Sequence, residues 1–114
     1  TLNVTSSESD DNIIPLTTKL IGNYPNPFNP AVAGRSTTTT IDFSLKEPCN
    51  VQLDVYNIKG EKVVTLIDNL LNTAYHSVTW AGQDQNGKSV SSGVYFYKLK
   101  AGKYTSIKKM LLMK

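Results

Sequence analysis

The sequence has few of the side chains from which metal sites and catalytic centres are commonly built. Its 114 residues include one cysteine, Cys49, and one histidine, His76. A single cysteine excludes an internal disulfide, and one cysteine with one distant histidine matches no known zinc-ligand spacing. A nucleophile–histidine–acid triad would depend on His76 alone, for which we expect an ordinary, partly buried and hydrogen-bonded role. We therefore expect no metal, no cofactor and no enzymatic activity.

Long hydrophobic runs and glycine clusters are missing as well. No apolar stretch approaches the roughly 20 residues of a membrane-spanning helix, so no transmembrane segment is predicted. The glycines stand apart at turn positions, and none of them forms a phosphate-binding cluster ahead of a helix. The sequence starts at Thr1 without a basic segment followed by an apolar one, so we expect it to be the C-terminal piece of a longer protein.

Acidic residues are absent from the last part of the chain, where positive charge accumulates. No acid follows Asp84, whereas seven lysines do: Lys88, Lys98, Lys100, Lys103, Lys108, Lys109 and Lys114. Such an end is attracted to anionic surfaces, either lipid headgroups or an acidic partner. The same lysines could equally serve only to keep edge strands soluble. Both interpretations stay open at this point.

Alternation of apolar and polar residues predicts β-strands along most of the chain. Ile41, Phe43 and Leu45 fall on one face of a strand, and the stretch 51–56 alternates in the same way. Strands are predicted at 19–23, 39–45, 51–56, 62–67, 76–80, 94–100 and 104–113. No segment has a helical period, so the predicted fold is all-β, an antiparallel β-sandwich of about seven strands.

Turn residues separate these strands. Asn86-Gly87 is the strongest hairpin signal, and residues 57–60 predict a second turn. The run that starts at Asp84 is similar to the beginning of a calcium loop, but it lacks the third oxygen position and the closing glutamate of such loops. We therefore predict a turn stabilised by the Asp84 side chain. Cys49 is expected to be an unreactive turn residue, because no nearby base or cation would lower its pKa.

A proline-rich segment stands between the first two strands. It contains Tyr24, Pro25, Pro27, Phe28 and Pro30. Proline has no N–H to donate to a sheet, so this segment is expected to be a rigid extended crossover between the two sheets. We expect both aromatic side chains to be buried at the edge of the core. A proline ligand for a binding groove is the less favoured interpretation.

The polar first 15 residues predict a domain boundary. They are rich in Ser, Asp, Asn and Thr and show no sustained period. We expect residues 1–15 to be a flexible linker to an upstream domain and residues 16–114 to form one folded domain.

Several motifs together resemble a type A C-terminal sorting domain of the type IX secretion system of Bacteroidetes and related phyla. They lie at residues 23–30, 39–41, 55–60, 76–80, 92–97 and 109–114. The residues expected to define the structural motif are Tyr24, Pro25, Pro27, Phe28, Pro30, Trp80, Asn86, Gly87, Gly93, Tyr95 and Tyr97. The stretch from Trp80 to Tyr97 is also similar to the immunoglobulin-like module of the flagellar hook-capping protein.

The resemblance implies an immunoglobulin-like fold and a non-catalytic function in targeting. Such a domain directs an upstream cargo across the outer membrane, for release or for attachment to the cell surface. It is in the periplasm in transit, and the cargo is then secreted or surface-bound. The implied partners are the outer-membrane secretion machinery, a sortase-like peptidase and the upstream domain of the same chain, with no nucleic acid. A structural immunoglobulin-like spacer or assembly module, retained in the mature protein, is the alternative.

The basic C-terminal strand is the predicted recognition element. Its residues are Lys108, Lys109, Met110, Leu111, Leu112, Met113 and Lys114. If this strand lies at a sheet edge, its free backbone groups and apolar side chains would offer a docking strip, and its lysines would pair with acids of the partner. Both faces of the strand are partly apolar, so the alternation does not say which one is inward. Carbohydrate binding by Tyr75 and Tyr104 is a third, weaker hypothesis.

Overall fold

The computed structural model describes residues 14–30 and 38–114, and within these ranges the fold is all-β. The strands are β1 Lys19–Tyr24, β2 Thr39–Leu45, β3 Cys49–Tyr56, β4 Lys62–Leu71, β5 Ala74–Trp80, β6 Gly93–Ala101 and β7 Tyr104–Leu112. The described part of the chain contains no helix with the length and apolarity needed to cross a membrane. Most of the predicted linker, residues 1–13, lies outside the described residues.

The strands form two antiparallel sheets. One sheet has the order β1-β2-β5 and the other the order β4-β3-β6-β7. Every pairing within them is antiparallel. The inward side chains of both sheets form one hydrophobic core. The predicted antiparallel sandwich of seven strands is therefore confirmed.

The predicted alternation is confirmed in the two central strands. Ile41, Phe43 and Leu45 in β2 are completely buried, and Val51, Leu53 and Val55 in β3 are at most 1% exposed. Apolar side chains at every second position place one face of each strand in the core.

The β3–β4 hairpin is longer than the sequence predicts. Cys49 and Asn50 pair with Leu71 and Leu70, so β3 starts two residues earlier and β4 ends four residues later than expected. The prediction of Cys49 as a turn residue is therefore wrong. Strand ends here are fixed by backbone pairing with the neighbouring strand, which side-chain alternation does not report.

A β-bulge in β1 changes which side chains face the core. The pairing with β2 shifts register between Leu20 and Gly22, which inserts one extra residue. Leu20 is buried before the bulge, whereas Asn23 contacts core side chains after it. Tyr24 consequently points outward and is 79% exposed. The expectation that Tyr24 is buried is wrong, because one extra residue inverts the alternation.

The proline-rich segment joins two strands of the same sheet. It connects β1 to β2, which are neighbours in the three-stranded sheet, so the predicted crossover between sheets is wrong. The segment instead lies against β7 of the opposite sheet, where Phe28 forms a parallel bridge with Leu112. Phe28 is 2% exposed, which confirms its predicted burial.

The last strand has a clearly defined inward face. Met110 and Leu112 are 2% and 0% exposed and belong to the core, whereas Leu111 and Met113 point outward.

We expect Leu112→Ala to lower the free energy of unfolding by about 2–5 kcal/mol, through lost burial and a cavity. Leu111→Ala, the matched control, should cost less than about 1 kcal/mol. Urea denaturation measures both, and equal losses would contradict this assignment of faces.

Candidate functional site

The basic C-terminal strand lies at a sheet edge. In the described four-stranded sheet, β7 pairs with β6 on one side and ends the strand order. The predicted recognition strand therefore lies at a sheet edge, which is the position that its proposed docking role requires. Gly93, at the start of β6, pairs with Leu112 near the end of β7.

The predicted recognition residues divide between surface and core. Five of them are exposed: Lys108, Lys109, Leu111, Met113 and Lys114. Met110 and Leu112 are buried, so they cannot touch a partner while the domain stays folded. Removal of residues 109–114 would therefore delete core side chains together with surface ones. The role of these seven residues in sorting stays a prediction.

An edge-covering segment, residues 26–28, closes the C-terminal half of the β7 edge. The Asn26 side-chain oxygen accepts a hydrogen bond from the Leu111 N–H at 2.9 Å, and the Phe28 N–H donates to the Leu111 carbonyl at 3.1 Å. The Met113 N–H donates to the Phe28 carbonyl at 2.9 Å. The expectation of free backbone groups is therefore wrong for Leu111 and Met113, because this short segment pairs with them as a strand would.

Asn26 makes contacts with the β7 edge that the sequence did not reveal. Besides accepting from Leu111, its side-chain N–H₂ lies 3.4 Å from the Lys109 carbonyl. An amide offers a donor and an acceptor together, so one side chain imitates a paired backbone unit between two prolines that cannot donate. The signal in the sequence is an asparagine between two prolines, and its partner strand could not be deduced from it.

Aromatic rings anchor the edge-covering segment to the core. The Phe28 ring lies 5.6 Å from the Trp80 ring, which in turn lies 5.3 Å from the Tyr95 ring in an edge-on arrangement. The Trp80 indole N–H donates to the Gln83 carbonyl at 2.8 Å, and the Tyr95 hydroxyl donates to the Ser91 carbonyl at 2.6 Å. Both buried polar groups are thus satisfied, and the rings hold Phe28 against β7.

Gly82 is favoured by its backbone conformation and not by a lack of space, because a side-chain Cβ would still fit in ordinary contact with its neighbours. A Cβ atom there would lie 3.4 Å from the Pro30 Cγ and 3.6 Å from the Leu112 methyl carbons. The backbone of Gly82 also has φ +71°, a left-handed conformation that disfavours side chains. Among the predicted motif residues, Pro30 therefore lies beside Gly82.

A polar network joins the two sheets beneath the edge-covering segment. The Tyr97 hydroxyl in β6 donates to the Asn23 side-chain oxygen at 2.9 Å, and the Asn23 side-chain N–H₂ donates to the Thr39 hydroxyl at 2.9 Å. Thr39 in turn donates to the Pro25 carbonyl at 2.8 Å. Tyr97 is 1% exposed, and its burial raises the pKa of the phenol to about 12. Asn23 and Thr39 were not predicted as members of such a network.

The Asp84 turn is stabilised by its own side chain, as predicted. One Asp84 carboxylate oxygen accepts hydrogen bonds from the Asn86 N–H at 2.9 Å and the Lys88 N–H at 3.0 Å. Gly87 has φ +81°, whereas Asn86 does not have a positive φ. The turn therefore differs from a two-residue hairpin with two left-handed positions.

No cluster of three or more His, Cys, Asp or Glu side chains suited to a metal occurs among the residues that the structure describes.

His76 and Cys49 occupy ordinary structural positions. The His76 ring stacks on Phe43 with centroids 5.3 Å apart, and its Nε2 lies 2.8 Å from the Asn72 carbonyl. This confirms the predicted hydrogen-bonded role of the histidine. Burial, and secondarily the charge of Glu47, raises the pKa of the Cys49 thiol above its usual value. A raised pKa disfavours the reactive thiolate.

The two tyrosines considered for carbohydrate binding do not share a sheet. Tyr75 lies in β5 and is 59% exposed, whereas Tyr104 lies at the start of β7. The Tyr104 hydroxyl accepts a hydrogen bond from the Leu20 N–H at 3.0 Å, which ties this ring to β1. The positions therefore give no support to a joint binding platform.

Comparison with known proteins identifies one family and a recurrent fold. The model of the FlgD Ig-like domain family matches residues 29–105, a longer region than the stretch from Trp80 to Tyr97 in which the sequence shows this likeness. No curated protein matches the chain.

Two solved structures from Porphyromonas gingivalis share the fold. One is PorZ, described as an essential bacterial surface component of the type-IX secretion system, with TM-score 0.56 and 17% identity over 97% of this chain and 12% of PorZ. The other is dimeric latent PorU, with TM-score 0.64 and 18% identity over 89% of this chain and 10% of PorU. The chain thus spans about a tenth of the length of each.

The edge-covering segment leads to a testable prediction. We expect Asn26→Ala to remove the hydrogen bond to Leu111 and to lower the free energy of unfolding by about 1 kcal/mol. The Leu111 amide should then exchange with deuterium faster than in the unmodified protein, because its N–H loses its partner. Asn69→Ala, at an exposed position in β4, is the matched control. Unchanged exchange at Leu111 would show that Asn26 does not protect this edge.

The buried phenol of Tyr97 leads to a further prediction. An unfolded tyrosine ionises near pH 10, whereas folded Tyr97 holds its proton to about pH 12. The stability that protonated Tyr97 contributes is therefore complete below about pH 10 and is lost as the pH rises from 10 to 12. Tyr97→Phe should lower the free energy of unfolding by about 1 kcal/mol at neutral pH. Between pH 10 and 12 the free energy of unfolding of this variant should fall less steeply than that of the unmodified protein. Parallel slopes of unfolding free energy against pH for the two proteins would contradict the assignment.

Proposed function

This chain belongs to the FlgD Ig-like domain family, and we propose that it acts as a non-catalytic C-terminal sorting signal. It directs an upstream cargo across the outer membrane by the type IX route, for release or attachment at the cell surface. The observation that carries the proposal is the closing strand β7, which displays Lys109 and Leu111 at a sheet edge while Met110 and Leu112 anchor it in the core. Exposed Lys114 follows two residues after the end of the strand.

The display is chemically suited to recognition. A strand with one buried face presents its outward side chains at fixed spacing, so little backbone order has to be gained on binding. A single exposed ion pair is worth about 1 kcal/mol or less, so lysines alone would bind weakly. Leu111 and Met113 are 36% and 50% exposed and add apolar contacts next to the charges. The proposed partner is the outer-membrane secretion machinery.

The comparison with PorZ supports the proposed route. PorZ is described as a component of the type-IX secretion system, and the fold of this chain recurs within it. At 17% identity the likeness is one of fold. A sortase-like peptidase would then separate the domain from its cargo within the polar residues 1–15.

A retained spacer or assembly module is the alternative function. The covered edge of β7 favours it, because hydrogen bonds from Asn26 and Phe28 block strand addition along the C-terminal half of that edge. A sorting signal should be absent from the secreted product, whereas a spacer should remain in it. The mass of the secreted product therefore distinguishes the two functions.

Charge reversal at Lys109 in β7 and at Lys114, just after it, tests the sorting function. Residues 1–114 are fused behind a reporter exported to the periplasm of a bacterium with a type IX system. We expect Lys109→Glu with Lys114→Glu to lower the secreted fraction by about tenfold, since two attractions become repulsions. The matched control reverses two exposed turn lysines, Lys59 and Lys88.

The outcomes of this experiment are separable. Secretion of the unmodified fusion with the domain removed, as shown by mass spectrometry, supports the sorting signal. Secretion with the domain retained supports the spacer. A fusion that stays in the periplasm even without any substitution would refute the proposed function.

A further inference from the structure

The outer face of the four-stranded sheet carries several apolar side chains among its lysines. Phe96 in β6 lies opposite Tyr56 in β3 and Lys109 in β7, and these positions alternate with buried core residues. Ile107 and Leu111 flank Lys109 on β7 and are 57% and 36% exposed. We define this outer face by Tyr56, Phe96, Lys98, Lys100, Ile107, Lys109 and Leu111. The solvent face of an antiparallel sheet is usually polar, so exposed apolar side chains set among lysines mark a candidate contact surface.

Lysines are interspersed with these apolar side chains, and the sheet also carries two acids: Asp68 in β4, which is exposed opposite Gln52, and Asp54, which is already engaged. Asp54, opposite Lys98, is 4% exposed. Its carboxylate accepts hydrogen bonds from the Thr65 hydroxyl at 2.7 Å and the Gln52 side-chain N–H₂ at 2.9 Å, and it lies 4.0 Å from the Lys62 ammonium. That contact is the one ion pair within residues 14–30 and 38–114. The charges of the lysines on β6 and β7 are therefore available to a partner.

The edge of β7 cannot be the main route of approach. Asn26 and Phe28 occupy the backbone groups of Leu111 and the N–H of Met113. A partner strand could add only along the N-terminal half of β7 while the edge-covering segment is in place. The outer face has no such cover in the described part of the chain, so a partner can meet it directly.

We propose that the outer face is the docking surface for a protein partner that presents acidic side chains around an apolar patch. This inference rests on the proposed function and names the surface that the machinery recognises. A second copy of this chain is a poor occupant, because its lysines would face lysines. A bilayer suits the face less well, because Tyr56 and Phe96 are half-buried among longer lysines and do not project as inserting side chains do.

The test uses the same reporter fusion with substitutions away from residues 108–114. Lys100→Glu changes an exposed charge of the outer face, and Phe96→Thr removes an apolar contact with a residue that favours strands. We expect each to lower the secreted fraction by about tenfold, which corresponds to about 1.4 kcal/mol of lost binding. Tyr75→Thr and Lys88→Glu are matched controls outside this face and should be secreted normally. Urea denaturation of each purified domain separates loss of docking from loss of folding.

A cross-linking and a vesicle experiment identify the occupant. A photo-reactive phenylalanine at position 96 should form an adduct with a component of the secretion machinery, identified by mass spectrometry, and Lys100→Glu should reduce that adduct at least several-fold. The same label at position 75 should give none. If the domain floats with phosphatidylglycerol vesicles and no protein adduct forms, the occupant of the outer face is a membrane and the proposed protein partner is wrong.

The experiment distinguishes a wrong docking surface from a wrong sorting function. If the unmodified fusion is secreted and folded Lys100→Glu and Phe96→Thr are secreted equally well, the inference about the outer face is wrong and the sorting function stands. If the unmodified fusion is not secreted, both are wrong.

Discussion

The one-residue bulge between Leu20 and Gly22 sets the side-chain phase of β1, and the way in which the two sheets meet depends on it. The extra residue turns Asn23 inward, where its amide links Thr39 of one sheet to Tyr97 of the other. A buried amide costs free energy unless it is hydrogen-bonded, so this network also fixes the relative position of the sheets. The same shift places the next residues where Asn26 and Phe28 reach β7.

The covered edge limits how this domain can interact. An open edge strand is a template for pairing with other chains, including unwanted copies of itself. Backbone pairing with Phe28 and side-chain pairing with Asn26 remove this hazard along the C-terminal half of β7. Along this half of the edge, backbone hydrogen bonds, which any extended peptide can satisfy, are not open to a partner, and only side chains are left to make contacts. Such contacts select partners by charge and shape.

The sequence predicted the strands well because their alternation is local, as Ile41, Phe43 and Leu45 show. The turn at Asp84 was predictable for the same reason, since its hydrogen bonds span four residues. The orientation of Tyr24 was not predictable, because it depends on a bulge. The partner of the segment around Phe28 was not predictable either, because that partner is a strand more than 80 residues away. The seven candidate recognition residues were selected by position and charge, which cannot separate Leu111 from Leu112.

The division within β7 bears on what any truncation can reveal. Alternate residues of one strand serve two purposes: Met110 and Leu112 hold the sandwich together, and Lys109 and Leu111 face outward. A chain that lacks this strand loses core burial and surface charge at once, so a defect in targeting and a defect in folding would look alike. Substitution of outward residues alone separates them. The period of two in a strand therefore makes it possible to test function in this domain without disturbing its stability.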